Sequence, residues 1–600
     1  HEPYRRQRQM CIRDSFISIL LIILGQSFNK TCAQDNTSNN FINIVYPAQN
    51  ASIKASSTFF VGSTHPKATL KINGNTAKVH PNGAFVEIVP LMQGENSFTF
   101  HSTLDGTTTI KNYKLKRPNT LKTLSTTTLE IDNSSIYPNK SLTLTPSDTL
   151  EVKFRGTGSK DFIKKTPITA YFKIGNTTVN MIEEKNGFFK GTYKIKKTDD
   201  FDKTPIKIFF ETEGINLQKT TPGTLSTIDE DFYVIGRVIS DDAVVRLNPD
   251  TNAARLSPMK KGTLLPLNGE YGDYFRIKLS DRKKVWILKK DIEMAELTDC
   301  PPISDLSKIN IYSDDSSFFI VIPVEYQAPI LINNISQNKL ILDIYGVKEN
   351  ILPKETTTIK NNIITLSYSQ SDPKAARIKI DTDYKHLWGY DYFFKGKNLI
   401  IELKKEPQID TKKPLENLII AIDPGHGGSE KGSLGPTGVP EKDINLQIAK
   451  HLKKELETAG AKVIMTRSQD VEAALSSRVN TANDNKALLL ISLHNNALPD
   501  GQNPYITHGT SAYYYHPQSF GLAQKIQKNL VADLGLMNNG IHRQSFALTR
   551  PTKPISVLVE IAYMINPDEY SKLLDDNFRK DVAKSIKKSL DQYMIYSRIN

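Results

Sequence analysis

The stretch Leu418–Gly428, LIIAIDPGHGG, decides how the C-terminal part of this chain is read. Leu418 to Ile422 are apolar without interruption, the pattern of a strand buried on both faces, since a half-buried strand would alternate. The run ends at Asp423, and the glycines of Pro424-Gly425-His426-Gly427-Gly428 allow a tight loop that presents His426. Downstream, Ile444, Ile448, Leu452 and Leu456 recur four apart within Asp443–Ala459, as one buried helix face requires. Gly460 stops that helix, and Val463–Met465 reads as the next strand. A helix near Val471–Asn483, strands at Ala487–Leu493 and Ser511–Tyr515, a helix at Ser519–Leu534, the strand Ile555–Ile561 and a helix from Asp568 continue the alternation. This predicts an α/β unit over 414–600, with a mainly parallel twisted sheet covered by helices on both faces.

Upstream of about residue 405 the patterning is that of strands, so the chain is expected to be multidomain, with all-β modules preceding the α/β unit. Six hundred residues also exceed what one core supports. Within 41–117, short runs such as Ile42–Tyr46, Phe59–Gly62, Thr69–Ile72 and Ala84–Val89 alternate with turn residues and predict an antiparallel sandwich. Val61-Gly62, Ile72-Asn73-Gly74, Gly83-Ala84-Phe85 and Gly94-Glu95-Asn96 there resemble bacterial immunoglobulin-like modules. Residues 118–140, rich in Thr, Ser and Asn, are expected to be a linker, and 141–228 a β domain of unknown type. The segment 231–296 resembles a bacterial SH3-like barrel in Val244-Val245-Arg246, Lys261-Gly262-Thr263 and Val285-Trp286-Ile287. Residues 303–405 carry three alternating strands, at Leu340–Tyr345, Ala376–Asp381 and Asn398–Leu403, similar to localisation modules that precede some cell-wall amidases.

Composition narrows the class. Charged residues make up 24% and hydrophobic ones 38%, which excludes a polytopic membrane protein and a wholly disordered chain. Three cysteines exclude a disulfide-dense scaffold. Phe16–Leu24, FISILLIIL, lies behind Arg5, Arg6, Arg8 and Arg13 and is too short to span a bilayer. It is read as a signal peptide over 1–33 with cleavage after Ala33, which implies an exported, periplasmic or cell-surface protein without a membrane span in the mature chain. Cys300 would then be its sole thiol. The net charge of +13 suits anionic cell-surface polymers, and without an aromatic-interleaved basic stripe nucleic acid is not an expected partner.

Ligand sites in open α/β sheets lie beyond the carboxyl ends of the strands. His426, His494 and Glu560 all fall at that level, the last two in Ser492-Leu493-His494-Asn495 and Val557-Leu558-Val559-Glu560; Glu441 opens the first helix. Two imidazoles and a carboxylate can hold one Zn²⁺ with a position left for water, and a further carboxylate is needed to move protons. His426, Glu441 and His494 can be the ligands and Glu560 the base. Spacing alone leaves this open. Singly, His494 reads as a structural histidine, Glu441 as a carboxylate favoured by the helix dipole, and Glu560 as a partner of Arg543 or Arg550.

Residues 417–595 resemble the zinc-dependent N-acetylmuramoyl-L-alanine amidases. The matching motifs are Ile422 through Gly428, Glu441-Lys442-Asp443 with Leu446 and Ala449, Thr466-Arg467, Arg478, Ser492 through Asn495, Gly509-Thr510 through Tyr514, and Leu558-Val559-Glu560 with Asn566. Departures are Asn496 beside the second histidine and Ala562-Tyr563-Met564 after the glutamate. The resemblance implies that His426, Glu441 and His494 bind one zinc ion and that Glu560 is the catalytic carboxylate; it assigns no substrate-binding residue. It further implies a peptidoglycan hydrolase that cuts the amide between N-acetylmuramic acid and the L-alanine of the stem peptide. The alternatives are a zinc peptidase acting on wall peptides and a wall-binding scaffold with an inert metal site. Some relatives carry an inhibitory helix after the second histidine; Asn495–His508 is too short for one, so an open cleft is expected. The β modules are expected to bind peptidoglycan or a cell-envelope protein partner.

Overall fold

The computed structural model describes residues 40–598, apart from 119–121, 147, 165, 297–302, 305, 307–308, 349–356, 360–363 and 373. The expected signal peptide, 1–33, and Cys300 lie outside the described residues. Among the described residues no helix is long and apolar enough to cross a membrane.

Elements are labelled within the C-terminal unit. The uninterrupted apolar run forms β1 (Ile419–Pro424), followed by α1 (Glu441–Thr458), β2 (Lys462–Met465), α2 (Leu475–Asp484), β3 (Leu489–Asn496), β4 (Thr510–Tyr514), α3 (Phe520–Leu534), β5 (Asn538–Arg543), β6 (Ile555–Tyr563), α4 (Pro567–Leu574) and α5 (Asp576–Tyr596). The sheet order is β2-β1-β3-β6-β4-β5. Every neighbouring pair is parallel except β4–β6, which is antiparallel, so the sheet is mixed. Successive residues of β1 face opposite sides. Ile420 and Ile422 join a core with Ile444, Ile448, Leu452 and Leu456 of α1, Leu522 and Ile526 of α3 and Ile586 and Leu590 of α5. Each such fully buried side chain stabilises the unit by about 1.5–3 kcal/mol. Ala421 and Leu490 face the other way, towards Ala482 of α2 and Leu548. Coverage is therefore unequal: three long helices on one face, and the single short α2 on the other.

Two helical boundaries differ from expectation for local reasons. Residues 471–474 do not join α2, because they run over the glycine loop: a Cβ on Gly427 would lie 2.2 Å from Val471 O. The C-terminal helix is two helices. The Asn566 side chain accepts from the amides of Asp568 and Glu569 to start α4, and Asp575 ends it and caps α5 by accepting from Asn577 N.

Among the described residues of 40–404 the regular structure is strands, with a single 3-10 turn at Lys289–Asp291. In 41–117 a three-stranded sheet (Ile42–Tyr46, Ser57–Thr64, Ala84–Pro90) packs against a four-stranded one, and the Phe60 ring meets Phe98, Phe100 and Tyr113 edge-on at 4.9–5.5 Å. The stretch expected as a linker, 118–140, instead contains a strand, Ile131–Tyr137, paired with Thr149–Gly156. Ile131 and Ile136 are buried in the core of the second unit, and that burial recruits the segment despite its polar composition. The second and third units share one fourteen-stranded ladder, in which Leu142–Leu144 pairs with Ile215–Thr227 on one side and Leu264–Tyr271 on the other. Two further sheets within 310–404 pack on the C-terminal unit, where Leu387 and Trp388 enter the same core as Tyr593.

Candidate active site

The loop after β1 carries His426 with φ of 61°, a left-handed conformation that a β-carbon disfavours. Two buried arginines hold it there. Arg478 donates from Nη2 to His426 O at 2.8 Å and from Nη1 to Pro424 O at 2.9 Å and Asp423 Oδ1 at 2.8 Å. Arg467 donates to Pro424 O at 2.9 Å and to Gly425 O at 3.0 Å. Burial works to raise the fully buried Asp423 carboxyl, but the Arg478 charge and the hydroxyls of Ser492 and Thr466 hold it below the usual carboxylate range.

Glu441 is the first residue of α1, where the helix dipole favours an anion. Its Oε2 accepts from Ser433 N and Oγ at 2.9 and 3.1 Å, and its Oε1 from Asn445 Nδ2 at 3.1 Å and Asn495 N at 3.0 Å. The imidazoles approach the same carboxylate: His426 Nε2 is 3.3 Å from Oε2, and His494 Nδ1 is 3.1 Å from Oε1. Burial would raise the Glu441 carboxyl, yet the charge of the nearby His426 ring and its contact with the His494 ring hold it well below the usual range. Burial likewise lowers His426, but Glu441 more than offsets this, whereas burial prevails at His494 and lowers it.

The three side chains fit a metal ion. One ligand atom from each lies within 4.8 Å of the others, and buried His426 Nε2 has no hydrogen-bond partner. The backbone around them is shaped to size. A Cβ on Gly425 would come within 2.2 Å of the His494 ring, and one on Gly432 would lie 2.5 Å from Glu441 Oε2. Two nitrogens and one oxygen form a donor set suited to zinc.

Glu560 is directly in register with His494 on the neighbouring strand β6, so the two side chains leave the same face of the sheet. It is buried, with 6% of its surface exposed. Burial, and then the charge of Glu441, push its carboxyl well above the usual range. His426, His494 and Glu560 line a cleft of about 290 Å³ whose other walls include Ala473, Leu475, Phe546 and Leu558.

Residues 420–592 match the sequence model of the N-acetylmuramoyl-L-alanine amidase family. Over those residues the C-terminal part of the chain is similar to that family. The N-acetylmuramoyl-L-alanine amidase LytC of Bacillus subtilis is 36% identical to it over 179 residues, which are 29% of this chain and 35% of LytC. The probable cell wall amidase LytH of Staphylococcus aureus is 33% identical over 184 residues, 30% of this chain and 60% of LytH. The chain thus spans between about a third and three fifths of the length of these curated relatives. Among solved structures, the N-acetylmuramoyl-L-alanine amidase AmiC2 of Nostoc punctiforme is 28% identical, with a TM-score of 0.29, over 31% of this chain and 99% of that one.

All four residues singled out from the sequence thus meet at one place in the C-terminal domain. The supports around them were not singled out. Asn445 lies one helical turn beyond Glu441, a spacing that could have drawn attention to it, and also accepts from Asn495 Nδ2 at 2.8 Å. Arg478 and Arg467 stood in the motifs without a role. A larger cavity, about 890 Å³, opens between the 310–404 sheets and the C-terminal domain beside Trp388, Lys405 and Arg598, but it contains neither site histidine nor Glu560.

Proposed function

We propose that this protein is a zinc-dependent N-acetylmuramoyl-L-alanine amidase, a peptidoglycan hydrolase. The observation that carries the reading is the meeting of His426, Glu441 and His494 beside Glu560, in a domain that matches that family. His426, Glu441 and His494 would hold one Zn²⁺, which when bound polarises the lactyl carbonyl of muramic acid and acidifies water. Glu560 accepts the proton of the attacking water and returns it to the departing L-alanine nitrogen. A carboxyl raised by burial is suited to both halves of that task near neutral pH. Asn445 and Ser433 keep Glu441 oriented, and Arg478 keeps His426 in its unfavourable backbone conformation.

The upstream β units, on this reading immunoglobulin-like at 41–117, SH3-like at 231–296 and localisation-like at 303–405, hold the enzyme on the wall or at an envelope partner after export. The test is digestion of purified peptidoglycan by the full chain, followed by mass spectrometry. Intact stem peptides and peptide-free glycan are expected, with the activity abolished by chelator and restored by zinc. Cut peptides would point to a peptidase. Binding without soluble product at full zinc occupancy would point to a scaffold.

A further inference from the structure

The sheet formed by Ile42–Tyr46, Ser57–Thr64 and Ala84–Pro90 is apolar on both faces. Phe60 and Phe85 point into the sandwich, while Phe59, Val61 and Val86 point out, yet all three are at most 1% exposed. What covers them is the C-terminal domain, through Leu498, Tyr563 and Ile565. Polar contacts ring this apolar patch. Tyr46 Oη and Thr58 Oγ1 both donate to Asp500 Oδ1, at 2.6 and 2.7 Å, and Tyr505 Oη donates to Val86 O at 2.8 Å. His80 Nδ1 lies 3.3 Å from Asp568 Oδ1, and Asn82 Nδ2 donates to Ser571 Oγ at 3.0 Å.

The place of contact matters more than its size. Leu498 lies four residues past His494, where the chain leaves β3, and Tyr563 three residues past Glu560, where it leaves β6. We infer that residues 41–117 form a fixed buttress of the C-terminal domain, docked through Phe59, Val61, Tyr46 and Thr58, which holds the exits of the two strands bearing His494 and Glu560. Separating the two surfaces would bring Phe59, Val61, Leu498 and Ile565 into water together and strip Asp500 of both hydroxyl donors, so the sandwich is no swinging arm. The docking stands on packing alone; its consequence for turnover rests on the amidase reading above.

A disulfide tests this in the full chain. A Cβ built on Gly501 lies 3.5 Å from Ala55 Cβ, within the roughly 3.5–4.5 Å that a disulfide spans. Ala55→Cys with Gly501→Cys, in a background with Cys11, Cys32 and Cys300 changed to Ser, should lose both thiols under oxidised glutathione. Turnover of peptidoglycan should stay within twofold of the reduced form. Persistent free thiols would mean an undocked arm, and turnover that falls tenfold on oxidation and recovers with reductant would mean a lid; either overturns the proposal. Gly501 has φ of 85°, so a cysteine there is strained, and Val61→Glu supplies a second route. Hydrogen exchange across 497–508 and 563–571 should quicken at least tenfold in that variant, while 149–156 keeps its wild-type rate. Unchanged exchange in those segments would also overturn the proposal. A chain inactive in both redox states would refute the amidase reading, yet thiol count and exchange would still decide the docking.

Discussion

Replacing Arg478 with alanine should loosen the loop that carries His426 far more than removal of a surface charge would. The guanidinium donates to Asp423 Oδ1, Pro424 O, His426 O and Ala473 O, at 2.8 to 3.0 Å. Asp423 is fully buried, so the alanine variant strips its charge of the one cation that is hydrogen-bonded to it. Taking one partner from a buried pair costs about 3–5 kcal/mol. Ser492 and Thr466 still donate to the carboxylate at 2.6 Å each, which argues for the lower end, about 3 kcal/mol. Since 1.4 kcal/mol is tenfold in an equilibrium, amides of β1 should exchange about a hundred times faster. Hydrogen exchange with mass spectrometry on the full chain reads this directly, with peptides from 149–156 as a remote control. Combining Arg478→Ala with Asp423→Asn removes the stranded charge, and should recover about tenfold of the loss. Exchange within threefold of wild type for Arg478→Ala, or a double variant no better than the single one, would refute the argument.

Glu560→Gln should keep its zinc and lose about 100- to 10,000-fold in turnover on peptidoglycan; a variant with near-wild-type turnover would remove Glu560 from the proton path. Gly425→Ala puts a methyl 2.2 Å from the His494 ring at a residue whose φ is not left-handed, so folding measured by circular dichroism should hold while zinc content drops below half. Full zinc occupancy would contradict this. His386 is buried between Leu387 O and Tyr593 Oη, each 2.9 Å from a ring nitrogen, and burial pushes its pKa down to about 4. The unfolded chain, with an ordinary value near 6.5, binds more protons between these limits, so stability is full above about 6.5 and falls as the pH drops towards 4, by about 3 kcal/mol in all. The melting temperature should therefore decline from pH 7 to pH 5, and His386→Gln should flatten the decline; parallel profiles would reject this titration as the cause.

Sequence patterning revealed most where one physical demand dominates. The doubly buried β1 needs an unbroken apolar run, and α1 needs its four-residue spacing. Strand β5 was invisible, because Asn538-Asn539-Gly540-Ile541-His542-Arg543 lies at the sheet edge with mixed exposure and has no alternation to detect. Ile131 and Ile136 sit among serines and aspartate, so composition suggested a linker where a long-range pairing makes a strand. At the candidate site, His426, Glu441, His494 and Glu560 could be singled out because few residue types can bind a metal or move a proton, and the fold brings them together. Their supports could not: Arg478 reaches the loop from α2, 52 residues on from His426, and only the fold brings them together. The run Phe59-Phe60-Val61 looked like an ordinary core strand, although its two apolar faces serve different partners.

The ladder that joins the second and third units has a mechanical consequence. Leu142–Leu144 is hydrogen-bonded on both sides, so the seam between those units cannot flex without rupturing main-chain bonds. Residues 131 to 296 are therefore coupled like a single stiff spar, with no slack at that seam for a tether to take up.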